Sequence, residues 1–271
     1  MDRLAMFEYG AGDLVVLCHG AASHSGQWRS LIEQLAPSYR IVAFDQYGYR
    51  NSPKWTKNRP LMIADQAEPI LQYLNTQTGP IHLVGHSHGS TIATHLVGHL
   101  KDRISSLSIF EPNAFGALDT NHTEEQSMFD EIRRAFGDVE ERMSTLESRT
   151  HFAKELLNFW LGAGAWQNLT EKLRTQLISM MKATAKDVYA ALNSPIDLAP
   201  LQLIESRILF MFDPHTPRLA QVVSQQYLEV LPNCTVHTFP HCGHLAPIFH
   251  AERVNQVIIE HIQNMTNKND R

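Results

Sequence analysis

The chain has 271 residues, 43% of them hydrophobic and 19% charged, a globular composition that excludes a disordered protein. A chain this long can bury about three quarters of its unfolded surface, so its core needs neither disulfide nor metal. Lys and Arg number 23 against 28 Asp and Glu, a net charge of −5 that weighs against nucleic acid as a partner. The three cysteines, Cys18, Cys234 and Cys242, form no paired framework. Met1 to Gly12 carries Asp2, Arg3 and Glu8 and lacks the apolar centre of a signal peptide. No stretch approaches the roughly 18 consecutive apolar residues of a membrane span. The expectation is a reduced, soluble, cytoplasmic protein with no membrane partner.

In chain order, Leu14 to Cys18 is a short, β-branched apolar run closed by His19-Gly20, the pattern of a strand buried on both faces. The same pattern recurs at Ile41 to Phe44, Ile81 to Val84, Leu107 to Phe110, Ile208 to Phe212 and Thr235 to Phe239. Between these runs, apolar residues fall at helical spacing. Trp28, Leu31, Ile32 and Leu35 share one face, as do Ile63, Ala67, Ile70, Leu71 and Leu74. Helical stretches also follow at Ile92 to His99, Val222 to Val230 and Val254 to Ile262. Strands alternating with helices predict an α/β fold with a mainly parallel sheet. Working residues then belong on loops at the carboxyl ends of strands.

From Asn113 to Pro200 the alternation stops. Helical material at Met128 to Phe136, His151 to Trp160 and Leu169 to Leu192 is interrupted by a polar stretch (Asp138 to Arg149) and by Gly162-Ala163-Gly164. The division expected is a core of residues 1–112 and 201–271 with a helical cap at 113–200.

Gly85-His86-Ser87-His88-Gly89 fits G-x-S-x-G, and it stands between the apolar run ending at Val84 and a helical stretch from Ser90. A serine on a sharp strand-to-helix turn is lifted above the sheet edge, and side chains at the two flanking positions would collide with the neighbouring strand and helix. The turn also directs the His88 amide to a place where negative charge can be stabilised. Cys18-His19-Gly20-Ala21-Ala22 follows the first long strand, and the Ala21 amide is the expected second donor. The base must be a histidine that is close in space but free in sequence. Of the 15 histidines, His244 follows the last strand and a glycine-bearing loop at the same sheet edge, with His241 its nearest rival. His86 and His88 flank the serine, where their side chains are expected to line the pocket. His95 and His99 are spaced i,i+4 but lack the glutamate of H-E-x-x-H, so no metal is expected. No nucleotide motif is present, and no cofactor is expected.

These motifs resemble the α/β-hydrolase superfamily. The resemblance covers nearly the whole chain outside Asn113 to Pro200 and rests on His19-Gly20, Asp45-Gln46-Tyr47-Gly48 with Ser52-Pro53, the Gly85 to Gly89 elbow and Gly243-His244. It implies that the insertion is the cap that covers the site and sets substrate choice. Three features depart from the family pattern. About one strand precedes Leu14 where the family has a hairpin. Arg50 stands where D-x-x-G-x-G-x-S has its second glycine. The third departure concerns the acid that orients the histidine. Family members usually carry it after the penultimate strand in a pattern like G-x-x-D-P. Here Asp213-Pro214-His215-Thr216-Pro217 puts threonine in that place and Asp213 three residues early. The alternative is Glu111, directly after the strand ending at Phe110, a position that some branches of the family use. Glu111 ranks ahead of Asp213, and both stay open.

A serine nucleophile implies acyl transfer through an acyl-enzyme. It argues against haloalkane dehalogenases and epoxide hydrolases, which resemble this fold but carry aspartate at the position of Ser87. Phe129, Phe136, Phe152, Phe159, Trp160, Trp166 and the pair Met180-Met181 make the cap apolar, which suggests a small or medium hydrophobic acyl substrate. For most of these residues, packing of the cap on the core is the plainer role. Trp28, near the oxyanion loop, is expected to border the pocket. Ester, thioester, lactone, amide and C–C bonds all remain open as the bond cleaved. The alternatives are a ligand-binding protein without turnover and a cofactor-free haloperoxidase or perhydrolase.

Overall fold

A computed structural model describes residues 3–118, 123–136 and 143–269. Seven strands form one sheet in the order β1-β3-β2-β4-β5-β6-β7. They are β1 (Met6–Tyr9), β2 (Leu14–Cys18), β3 (Arg40–Phe44), β4 (Ile81–His86), β5 (Ile104–Phe110), β6 (Ile208–Phe212) and β7 (Thr235–Thr238). Only β1 runs antiparallel, against β3, and the other pairings are parallel. The single strand expected before Leu14 is therefore present, at the sheet edge.

Helices α1 (Arg29–Leu35), α2 (Ile63–Asn75) and α3 (His88–Leu100) connect the first strands. Three more, α4 (Thr123–Phe136), α5 (Leu146–Leu161) and α6 (Glu171–Asn193), lie between β5 and β6. The chain closes with α7 (Arg218–Val230), the short α8 (Ala246–Phe249) and α9 (Ala251–Asn269). The interruption expected at Gly162 is the end of α5, where Gly162 takes φ +87°. The polar stretch expected from Asp138 lies outside the described residues as far as residue 142. No helix among the described residues is long and apolar enough to cross a membrane.

The core has two layers, one on each side of the sheet, because alternate residues of each strand point to opposite faces. Val16, Val42, Leu83, Leu107 and Phe210 face one layer, which also holds Ile70, Ile92 and Val223 from α2, α3 and α7. Val15, Ile41, Val84, Phe110 and Leu209 face the other, packed on Leu31 of α1 and on Val254 and Ile258 of α9. β2 and β4 are buried at every residue, as their unbroken apolar runs require. β7 differs from the sequence expectation of a buried strand. All four of its residues are exposed, because it closes the sheet as an edge and its Thr-Val-His-Thr sequence suits that place. Arg50 takes φ +44°, so the loop after β3 keeps a left-handed residue without the glycine that usually supplies it.

Candidate active site

Strand register brings the site together. Cys18 lies beside Gly85, His86 beside Phe110, and Phe110 beside Met211. The residues after β2, β4, β5 and β6 therefore emerge along one edge of the sheet, and these are His19-Gly20, Ser87, Glu111 and Asp213.

Ser87 occupies the sharp turn between β4 and α3 at φ +52°, the left-handed region that a non-glycine residue adopts only when its surroundings hold it there. Its N–H donates to the Phe110 carbonyl at 2.8 Å. The flanking glycines are required by contact. A Cβ on Gly85 would lie 2.6 Å from the Ser90 Cα, and one on Gly89 would lie 2.1 Å from the Cys18 carbonyl oxygen. Gly20 is confined by a side chain instead, with His86 Nδ1 at 2.8 Å from any added Cβ.

Three of the expected residues form one hydrogen-bonded line. His244 Nε2 is 2.9 Å from Ser87 Oγ, and His244 Nδ1 is 2.7 Å from Glu111 Oε2. All three side chains are buried. Burial, which disfavours an isolated charge, is the largest influence on both ionisable members: it lowers the His244 pKa to about 3 and raises the Glu111 pKa to about 8. The second oxygen of Glu111 accepts the Asp213 N–H at 2.7 Å.

Asp213 does not reach His244. Its Oδ2 accepts the Gly243 N–H at 2.6 Å and its Oδ1 accepts the His215 N–H at 2.9 Å, so its carboxylate shapes the loop that carries the histidine. Burial alone would push its pKa up, but the amides donated by Gly243 and His215 outweigh that and hold it below the usual carboxylate range. His241, the rival base, stacks on His215 at 4.0 Å, away from Ser87.

His86 lines the cavity as expected, yet both ring nitrogens are engaged. Nε2 donates to the His244 carbonyl at 2.9 Å, and Nδ1 accepts from the Gln27 amide at 3.2 Å. Two expectations need correcting. The His88 side chain does not line the pocket. It turns back into the protein, fully buried, with Gln66 Oε1 2.9 Å from Nε2 and Asn113 Nδ2 3.4 Å from Nδ1. Trp28 does not border the pocket either. It is buried among Leu31, Ile258 and Ile262 in the layer on the α1 and α9 side of the sheet. Proximity in sequence to Gly20 misplaced it, because the chain crosses to that layer within a few residues.

A cavity of about 110 Å³ opens on Ser87 and His244. Its walls are Ala21, Ala22 and His86 from the core, with Phe115, Ile132, Phe136, Ala153, Leu156, Leu157, Phe159, Trp160, Leu177 and Val188 from the segment between β5 and β6. Asn113, Leu245 and Ile248 complete it among the described residues, none of which is Lys or Arg. Of the aromatic residues singled out from the sequence, Phe136, Phe159 and Trp160 face the cavity, whereas Phe129 and Phe152 are buried in the core. The Ala21 and His88 N–H groups engage no acceptor among the described residues. Sequence reasoning missed Gln27, Gln66 and Asn113, the amides that fix His86 and His88. Isolated amide residues carry no spacing signal.

The sequence matches the alpha/beta hydrolase fold family over residues 13–251, and the chain belongs to that family. It is similar to the 2-hydroxy-6-oxo-6-phenylhexa-2,4-dienoate hydrolase of Burkholderia cepacia, 23% identical over 276 residues that span 97% of this chain and 92% of that protein. Among solved structures, a thermophilic esterase from Thermogutta terrifontis superposes with a TM-score of 0.73 at 22% identity, covering 97% of this chain and 93% of that one. A bromoperoxidase from Bacillus anthracis superposes with a TM-score of 0.71 at 17% identity, covering 95% and 94%. These structures share the fold, and the hydrolase relatives place the chain in a hydrolase family.

Proposed function

We propose that this protein is a serine hydrolase that cleaves an ester-type bond in a small or medium, uncharged acyl substrate. In this reading Ser87 Oγ attacks the carbonyl carbon and His244 Nε2 takes its proton. Glu111 stabilises the imidazolium so formed, and the Ala21 and His88 amides receive the oxyanion. Collapse of the tetrahedral intermediate returns the proton to the leaving alcohol, leaving an acyl-enzyme on Ser87. Water activated by His244 then releases the acid and restores the serine. Two preorganised oxyanion donors contribute roughly 3 kcal/mol each by deletion estimates.

The observation that carries the proposal is the unbroken line from Ser87 through His244 to Glu111 at the floor of an apolar cavity. The cavity volume suits a group of roughly five heavy atoms, since a cavity of about 150 Å³ holds benzene. Helices α4 to α6 act as a cap in this reading, since they supply most of its walls. The three free cysteines support a reducing, cytoplasmic compartment.

A second reading is hydrolysis of a dienoate, the substrate that the Burkholderia relative's name gives, with a C–C bond as the one cleaved. A dienoate carries a carboxylate, and the described lining is mainly apolar with no Lys or Arg among its residues, which supports the neutral acyl substrate. The test is intact mass after exposure to a fluorophosphonate, with Ser87→Ala and His244→Ala alongside. A single adduct on Ser87, absent from the first variant and strongly slowed in the second, is expected. An inert wild type would overturn the proposal in favour of a ligand-binding protein. Ester and dienoate panels then separate the two hydrolytic readings.

A further inference from the structure

Among the buried carboxylates outside the chemistry above, Asp187 has both oxygens engaged by side chains. It lies on α6 and is completely shielded from solvent. Oδ2 accepts from the Tyr49 hydroxyl at 2.6 Å, and Oδ1 accepts from the Gln66 amide at 2.7 Å. The donors can be followed outward in two directions.

Toward the loop after β2, the Tyr49 proton is committed to Asp187, so the phenol oxygen is free to accept. It takes the Ala22 N–H at 3.0 Å. Ala22 sits at φ +57°, a left-handed conformation that costs a non-glycine residue roughly 1–2 kcal/mol. Toward α3, the committed Gln66 amide leaves its carbonyl oxygen to accept from His88 Nε2 at 2.9 Å. That fixes the imidazole tautomer, so Nδ1 accepts from Asn113 Nδ2 at 3.4 Å. Asn113 Oδ1 in turn accepts from the Thr91 hydroxyl at 3.0 Å. Every proton in the series points toward Asp187. Burial holds His88 below its ordinary pKa, consistent with this neutral tautomer.

One arm of this network ends at Ala22, adjacent to Ala21, and the other passes through His88, so it bears on both residues whose amides are assigned to the oxyanion. Resting on the serine-hydrolase reading, we propose that Asp187 is a positioning residue for the oxyanion hole. It holds the Ala21-Ala22 turn through Tyr49 and the start of α3 through Gln66 and His88. A carboxylate suits this task because hydrogen bonds to a charged acceptor are about twice as strong as neutral ones and orient their donors in fixed directions. The network also ties α6 to the core at the point where the next residue, Val188, lines the cavity. The segment that shapes the acyl site and the donors that receive the oxyanion thus share one anchor.

Tyr49→Phe removes a single hydroxyl and keeps the ring, and Asp187→Asn removes the charge. Both are assayed for kcat and KM on a short-chain ester. Each is also titrated with a trifluoromethyl ketone of matched chain length, which forms a tetrahedral oxyanion on serine, and with the matched alcohol, which fills the cavity without one. The expected result is a ten- to hundredfold fall in kcat with KM within about threefold, since small misplacements at a reacting centre cost up to about this much. Ketone affinity should fall by the same factor as kcat, with alcohol affinity unchanged. Where Asp187→Asn does not fold, Tyr49→Phe decides alone. A folded Tyr49→Phe with kcat within twofold of wild type overturns the proposal, as does a loss of alcohol affinity equal to that of the ketone. A wild type inert to fluorophosphonate overturns the serine-hydrolase reading itself, a result distinct from either.

Discussion

The indole of Trp160 lies flat on the imidazole of His244, with ring centroids 3.5 Å apart and planes within 12° of parallel. Trp160 belongs to α5, between β5 and β6, so the segment that walls the cavity also covers the proposed base. An aromatic face attracts a cation more strongly than a neutral ring. The stack therefore favours the imidazolium of the proposed acyl transfer over the neutral imidazole at rest, and such a difference would lower its barrier. Trp160→Leu is expected to lower kcat by about two- to thirtyfold, the span of about 0.5–2 kcal/mol for such contacts. Trp160→Phe should lose less. Steady-state kinetics on a short-chain ester check this, and a kcat unchanged in both variants would remove any electrostatic role for the indole.

Glu111 and Asp213 are separated by what they touch. Glu111 meets His244 Nδ1, whereas Asp213 holds the Gly243 and His215 amides. Glu111→Gln is expected to lower kcat by about 10⁴-fold, because an amide cannot stabilise the imidazolium or hold its tautomer. Asp213→Asn should cost less than about a hundredfold and act mainly by loosening the loop that carries His244. Kinetics of the two variants, with melting curves to confirm folding, provide the comparison. The opposite ranking would exchange the roles.

The raised pKa of Glu111 has consequences for both stability and activity. Burial lifts it from an ordinary 4.5 to about 8, so between those values the native state keeps a proton that the unfolded chain has released. Folding then takes up a proton, and stability falls as pH rises through this window. His244, buried neutral, contributes the opposite slope below about pH 6.5. Between pH 6.5 and 8 the Tm of Glu111→Gln should therefore gain on that of wild type, and a constant gap would contradict this. The same proton removes the acceptor for His244 Nδ1–H, so wild-type kcat/KM should rise with pH toward about 8.

Gly89 and Gly243 give a paired test of backbone demands. A Cβ at Gly89 would overlap the Cys18 and His19 carbonyl oxygens at 2.1 and 2.6 Å. Gly243 has open space around it but sits at φ +72°. Gly89→Ala is expected to cost about 3 kcal/mol or more and to abolish activity, since the Cys18 carbonyl cannot retreat without disturbing the end of β2. Gly243→Ala should cost only about 1–2 kcal/mol from backbone strain. Urea unfolding of the two variants measures the difference.

The strands and the sharp turn at Ser87 were legible in the sequence because their signals are local. An apolar β-branched run closed by glycine encodes a buried strand, and Gly85 to Gly89 records the contacts that leave no room for a Cβ. Even so, the exposure of β7 was not legible, since edge position depends on which strand pairs last. The sequence also narrowed the acid to Glu111 or Asp213 but could not choose, because both follow adjacent parallel strands at one edge. Their separation depends on side-chain direction at the ends of β5 and β6, with Glu111 held at φ +39° so that its carboxylate reaches His244. Trp28 and the His88 side chain were misplaced because nearness along the chain does not say which side of the sheet a side chain enters. Asp187, Tyr49 and Gln66 had no spacing signal at all, since 121 and 138 residues separate the partners of its two hydrogen bonds. Local sterics and hydrophobic periodicity thus determined the elements and the turn that presents Ser87. Packing of α6 against the core decided which buried polar groups would meet, because only the folded chain brings such distant donors to one carboxylate.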